Sequence, residues 1–208
     1  MVHLRAEQLG HRYGRRILFR RLDLELRGGT ILAVTGANGS GKSTLIRILA
    51  GLLTPSRGKV VLTLDGRSVP VDERPFHVGL VAPYLNVYDA FSARENLAFV
   101  ARARRLPDAR RRIDAVLERV QLGGRGDDLV ATYSSGMKQR VRFAVALLAS
   151  PSLLLLDEPT SNLDAPGRAM VAQLIDEARR EGRAVVVATN DPDEAARCDR
   201  RLCVEDYG

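Results

Sequence analysis

The chain has 208 residues, of which 45% are hydrophobic and 27% charged. That is apolar content for one well-buried domain and too much for an intrinsically disordered chain. Its 18 glycines and 9 prolines exclude collagen-like and low-complexity classes. The net charge is +7 and comes almost wholly from arginine, since Lys42, Lys59 and Lys138 are the only lysines. Such a surface suits nucleic acid or anionic lipid, and equally plain solvation.

Residues 1–30 alternate apolar and polar over short stretches (Leu22, Leu24, Leu26) and predict short strands ending at Gly28-Gly29. The run 31–35 (ILAVT) predicts a buried strand. A tight glycine loop, 36–41, follows it. Leu45, Ile46, Leu49 and Leu52 then recur at helical spacing over 42–52. Residues 60–64 (VVLTL) predict a strand that turns at Asp65-Gly66. From 83 to 150 the pattern changes to helices. Ser92 with Glu95 is a capping box for a helix to about Leu106. Asp108 is placed to cap a second helix carrying Ile113, Val116, Leu117 and Val120, and a third spans roughly 135–149. The apolar run 153–156 predicts a parallel strand covered on both faces. A helix over 168–180 and a strand over 184–188 (AVVVA) complete the pattern. Strand–helix alternation with a helical insert predicts an α/β fold with a mostly parallel sheet. The expected organisation is one domain, with 1–82 and 151–208 forming the core and 83–150 a helical arm.

Cys198 and Cys203 form no CxxC pair and no His/Cys cluster, which argues against a structural zinc or a disulfide framework. Charged residues near the start (Arg5, Glu7) interrupt any early apolar run, so no signal peptide is expected. No apolar stretch approaches the roughly 20 residues of a membrane span.

Residues 36–43 read Gly-Ala-Asn-Gly-Ser-Gly-Lys-Ser, the full phosphate-loop (Walker A) pattern between an apolar strand and an amphipathic helix. Gly36, Gly39 and Gly41 let the backbone N–H groups, with Asn38 and Ser40, turn around phosphate oxygens. The helix opening at Lys42, Ser43 and Thr44 adds a favourable field for an anion. Lys42 is expected on the β- and γ-phosphates of ATP, and the Ser43 hydroxyl on Mg²⁺. Asp157, ending the second core strand, is the expected partner of that magnesium. Glu158, one residue on, is the candidate for polarising the attacking water.

With these motifs in place, the whole chain resembles the ATP-binding cassette (ABC) family, a P-loop NTPase core with an antiparallel β subdomain and an inserted helical subdomain. Residues 133–140 (YSSGMKQR) resemble the family's signature motif. The resemblance implies that Ser134, Ser135 and Gly136 contact ATP bound to the opposite subunit, that Tyr13 stacks on adenine, and that Ser161-Asn162-Leu163-Asp164 is the loop crossing the dimer interface. It implies a head-to-tail dimer with a second copy or a homologous ATPase, an integral membrane permease as partner, and a peripheral position on the cytoplasmic face of the cell membrane. The form of the signature and the small size are most similar to stand-alone exporter ATPases, such as the ATP-binding subunit of the haem exporter of cytochrome c maturation. Two positions depart from the family pattern. Pro83 stands where a glutamine is usual, with Tyr84 or Asn86 as partial substitutes, and Asn190 stands in place of the switch histidine. Asn190 is nevertheless expected to act in catalysis, donating a hydrogen bond to the γ-phosphate or the attacking water. Two further readings stay open: a soluble cassette ATPase acting on nucleic acid or ribosomes, and a nucleotide-gated assembly subunit with little hydrolysis. The single cassette without a zinc or coiled-coil insertion argues against nucleic acid.

Overall fold

The structure, a computed structural model, describes residues 1–208. It opens with a β-hairpin of two long strands, β1 (Val2–Tyr13) and β2 (Arg16–Arg27). Short strands were expected here. Register shifts at residues 6–12, with positive φ at Gln8 and Arg21, reset the inside–outside alternation in mid-strand. Sequence periodicity therefore breaks where the hydrogen-bonded ladder does not. Then come β3 (Ile31–Thr35), α1 (Lys42–Leu49), β4 (Arg57–Leu64), β5 (Arg67–Val69), α2 (Arg74–His77) and β6 (Val78–Val81). The helices α3 (Ala93–Ala103), α4 (Ala109–Arg119) and α5 (Ser135–Leu147) follow without an intervening strand. The chain closes with β7 (Leu153–Asp157), α6 (Ala165–Arg180), β8 (Ala184–Ala188), α7 (Pro192–Ala196) and β9 (Arg200–Cys203).

Two sheets result. The antiparallel one has the order β2-β1-β4-β5, and the parallel one β6-β7-β8-β3-β9. All five residues of β7 and of β8 are buried, and the period-2 geometry of a strand divides them between two cores. Leu153, Leu155 and Val186 face a core shared with α1 and the antiparallel sheet. Leu154, Leu156, Val185 and Val187 face a core shared with α3, α4, α5 and α6. A continuous apolar run is thus what a doubly covered strand requires.

Helix boundaries follow local chemistry. Ser92 and Glu95 form the reciprocal capping box at α3. Asp108 does not cap α4: it sits at φ 52 and its side chain makes no capping bond. α6 starts three residues before the expected 168, because Asp164 accepts from the Gly167 N–H and a proline fits the first turn.

Gly79 brings the helical segment onto the sheet. A Cβ there would lie 2.5 Å from the Ala146 carbonyl oxygen of α5 and 2.7 Å from Pro151 Cγ. Gly79→Ala is therefore expected to destabilise the protein by about 1–3 kcal/mol through overpacking. Chemical denaturation would read this, and an unchanged midpoint would contradict the close approach.

Candidate functional site

The loop after β3 and the ends of β7 and β8 meet at one edge of the parallel sheet, where ligands of such sheets bind. The glycine loop owes its shape to backbone that side chains resist: φ is 140° at Gly36, 81° at Gly39 and 111° at Gly41. The first turn of α1 holds no acidic residue and no side chain caps it, so its N–H groups are free for an anion. Lys42 is only 6% exposed. Its Nζ donates to the Gly36 carbonyl at 2.7 Å, the Ala37 carbonyl at 3.3 Å and Asn190 Oδ1 at 2.7 Å.

Asn190, just beyond β8, completes a bridge by donating from Nδ2 to Asn38 Oδ1 at 2.6 Å. An ammonium only donates, so the amide must turn its oxygen to Lys42 and its nitrogen to Asn38. Asn190 does not cap α7; Asp191 does, accepting from the Asp193 N–H.

Asp157 ends β7 and is buried, yet neither carboxylate oxygen has a hydrogen-bond partner. Burial pushes its carboxyl above the usual range, against the opposing pull of the Ser43 hydroxyl, Lys42 and Arg47. Two orphaned carboxylate oxygens next to a serine hydroxyl are a hard oxygen donor set of the kind that suits magnesium. Glu158 follows at φ 48, in left-handed backbone, with its N–H donating to the Ala188 carbonyl. Burial also raises its carboxyl, opposed by Lys42 and reinforced by Asp157 and Glu194.

Tyr13, at the end of β1, is half exposed and stands edge-on to His11, with ring centroids 4.9 Å apart. The hairpin that carries it is tied to the phosphate loop by Arg16, which donates to the Gly39 carbonyl at 2.9 Å. In the helical segment, Ser134 caps α5 and accepts from the Met137 N–H. Gly136 packs beside Asn162 and Leu163. No hydrogen bond joins Ser134, Ser135 or Gly136 to the phosphate loop of the same chain.

The family model for the ABC transporter matches residues 19–161, more than half of the chain. The chain belongs to the ABC transporter family. Its relatives include the lipoprotein-releasing system ATP-binding protein LolD of Shewanella sp. (strain MR-4), 41% identical over 88% of this cassette and 83% of that protein. The Nod factor export ATP-binding protein I of Cupriavidus pinatubonensis is 34% identical over 99% of the cassette, which spans 64% of that relative's length. Among solved structures, an ATP-binding subunit of an ABC transporter superposes with a TM-score of 0.85 at 26% identity, covering 96% of this cassette and 85% of that chain. A bacterial ABC transporter cassette solved as a dimer gives 0.83 at 25%, covering 97% and 94%. No helix of this cassette is long and apolar enough to cross a membrane.

Two residues of the cassette near the site, Arg47 and Arg142, had no signal in the sequence, and Gln139 lay within the signature-like run 133–140 with no role of its own expected. Arg47 of α1 lies 4.0 Å over the ring of Tyr84, the residue after Pro83. Arg142 and Gln139 of α5 reach the loop after β6 and the segment after Glu158. Arg47 and Arg142 each look in sequence like an ordinary polar position on an amphipathic helix.

Proposed function

We propose that this chain is the ATP-hydrolysing subunit of a transporter, working head-to-tail with a second cassette and driving a separate membrane permease from the cytoplasmic face. The observation that carries the reading is the pair Asp157–Glu158 at the strand edge. One carboxylate is buried with both oxygens unpartnered, and the other is held in left-handed backbone beside Lys42 and Asn190. The phosphate loop and Lys42 would bind the ATP phosphates, with Tyr13 against the adenine. Ser43 and Asp157 would hold Mg²⁺, which when bound neutralises phosphate charge. Glu158 would polarise the attacking water. Ser134, Ser135 and Gly136, at a helix N-terminus and apart from their own phosphate loop, would serve the nucleotide of the other cassette, with Asp164 at the crossing. The helical segment 83–150, with Tyr88, Phe91 and Phe99 exposed on it, would meet the permease. The relatives named differ in substrate, so family membership carries no substrate. Phosphate release by the purified chain at saturating ATP, with magnesium and with EDTA, tests the reading; no magnesium-dependent release would leave a nucleotide-gated subunit instead.

Asn190 has a defined place in this scheme. It touches both Lys42 and Asn38 but bears no charge, so its contribution is orientation. Asn190→Ala is expected to lower turnover about 10-fold or more while changing ATP affinity less, because orientation matters most in the transition state. Single-turnover hydrolysis at saturating Mg-ATP decides; equal rates would remove Asn190 from catalysis.

A further inference from the structure

Glu158 holds an unfavourable backbone conformation, and something must hold it there. Its φ is 48°, and the next residue is Pro159, which further restricts the residue before it. Such strain persists where surrounding contacts over-determine it. Two of those contacts are local, the Ser161 N–H and hydroxyl both donating to the Glu158 carbonyl, and a third crosses to β8, where the Glu158 N–H donates to the Ala188 carbonyl. The fourth comes from the helical segment. Gln139 of α5, 3% exposed, donates from Nε2 to the Pro159 carbonyl at 3.0 Å.

Gln139 is itself oriented. Arg142, one turn along α5, donates from Nη1 to Gln139 Oε1 at 2.9 Å. With the amide oxygen taken by a cation, the amide nitrogen must face Pro159. The same guanidinium donates from Nε to the Leu85 carbonyl at 2.7 Å. Leu85 lies in the loop between β6 and α3, one of only two covalent crossings between the sheet and helices α3–α5. The adjacent Tyr84 is gripped by Arg47 of α1, the helix that follows the phosphate loop. Neighbouring residues of one loop are therefore held by arginines from two helices, one beginning at the phosphate loop and the other at the signature.

We propose that Arg142 and Gln139 are positioning residues for Glu158: a hydrogen-bonded relay from the Leu85 carbonyl to the Pro159 carbonyl that sets the catalytic carboxylate according to the position of the loop after β6. The proposal rests on the role of Glu158 given above. Serial bonds of this kind polarise one another, so breaking either link releases the whole relay. Neither side chain reaches the nucleotide loop, so the relay acts on turnover and leaves ATP binding alone.

The test is steady-state hydrolysis of Mg-ATP by the full chain and four variants, with thermal melting to verify folding. Arg142→Ala is expected to lower kcat about 10-fold with KM changed less than about twofold, as for a misplaced catalytic group. Arg142→Lys keeps one donor for Leu85 and is expected to recover part of the loss. Gln139→Glu is nearly isosteric and retains the Arg142 contact, but it cannot donate to Pro159; it should match Arg142→Ala. The double variant Arg142→Ala/Gln139→Glu should be no worse than the poorer single one, because both break one path. Unchanged kcat in Gln139→Glu, or multiplied losses in the double variant, would overturn the relay. Glu158→Gln, assayed alongside, separates the two claims: if it hydrolyses ATP normally, the role of Glu158 fails first.

Discussion

Replacing Glu158 by glutamine is expected to lower ATP turnover by about 10²-fold or more while ATP still binds. The carboxylate stands one residue beyond Asp157, and burial together with Asp157 and Glu194 raises its pKa. A raised pKa makes it a better proton acceptor than an exposed glutamate as long as it stays ionised. Glutamine keeps the shape and removes that capacity. It also removes one negative charge from a place where three carboxylates gather and where the γ-phosphate would arrive. The variant should therefore hold Mg-ATP longer and accumulate as the head-to-tail dimer. Single-turnover phosphate release and sizing chromatography in Mg-ATP would read the two effects. Hydrolysis at the wild-type rate would leave the site without its base.

Lys42→Ala is expected to raise the Kd for Mg-ATP about 10- to 100-fold, the value of one charge-assisted hydrogen bond in a sheltered place. The side chain does two jobs that alanine abandons. It carries positive charge into a loop that otherwise offers only N–H dipoles. It also ties the Gly36 and Ala37 carbonyls and Asn190 to one point. Those partners lie near solvent, so the fold should survive with a melting temperature close to wild type. Titration calorimetry would measure the affinity; an unchanged Kd would contradict the phosphate-loop role.

The most legible parts of the sequence were those in which a short segment carries its own physics. The phosphate loop is specified by glycines with no alternative and a lysine at fixed spacing. The runs 31–35, 153–156 and 184–188 could be recognised because a strand covered on both faces is almost wholly apolar, Thr35 being the single polar residue among them. The capping box at Ser92 was visible for the same reason, since its two partners lie within one helical turn. What escaped was what depends on contacts distant in sequence. The two long strands at the start were hidden by their own bulges. Asp108 looked like a cap, and only the path of the chain turns it away. Asn190 was placed at the γ-phosphate by the family resemblance, but its bridge between Lys42 and Asn38 spans about 150 residues and no local pattern announces it. Arg142 is the extreme case. It is one arginine among many in a chain rich in them, and its position against Leu85 depends on how α5 packs on β6.

The bridge made by Asn190 also bears on how nucleotide enters. Lys42 Nζ is held by three oxygens of the protein itself, so contacts within the chain fix the position of the ammonium. In the proposed scheme an arriving phosphate would exchange oxygen for oxygen around a cation already in place, with most of the ordering entropy spent before the encounter. The same exchange would run backward once the γ-phosphate had left. In the proposed scheme Asn190 would compete with the remaining diphosphate for Lys42, which would favour release of spent nucleotide.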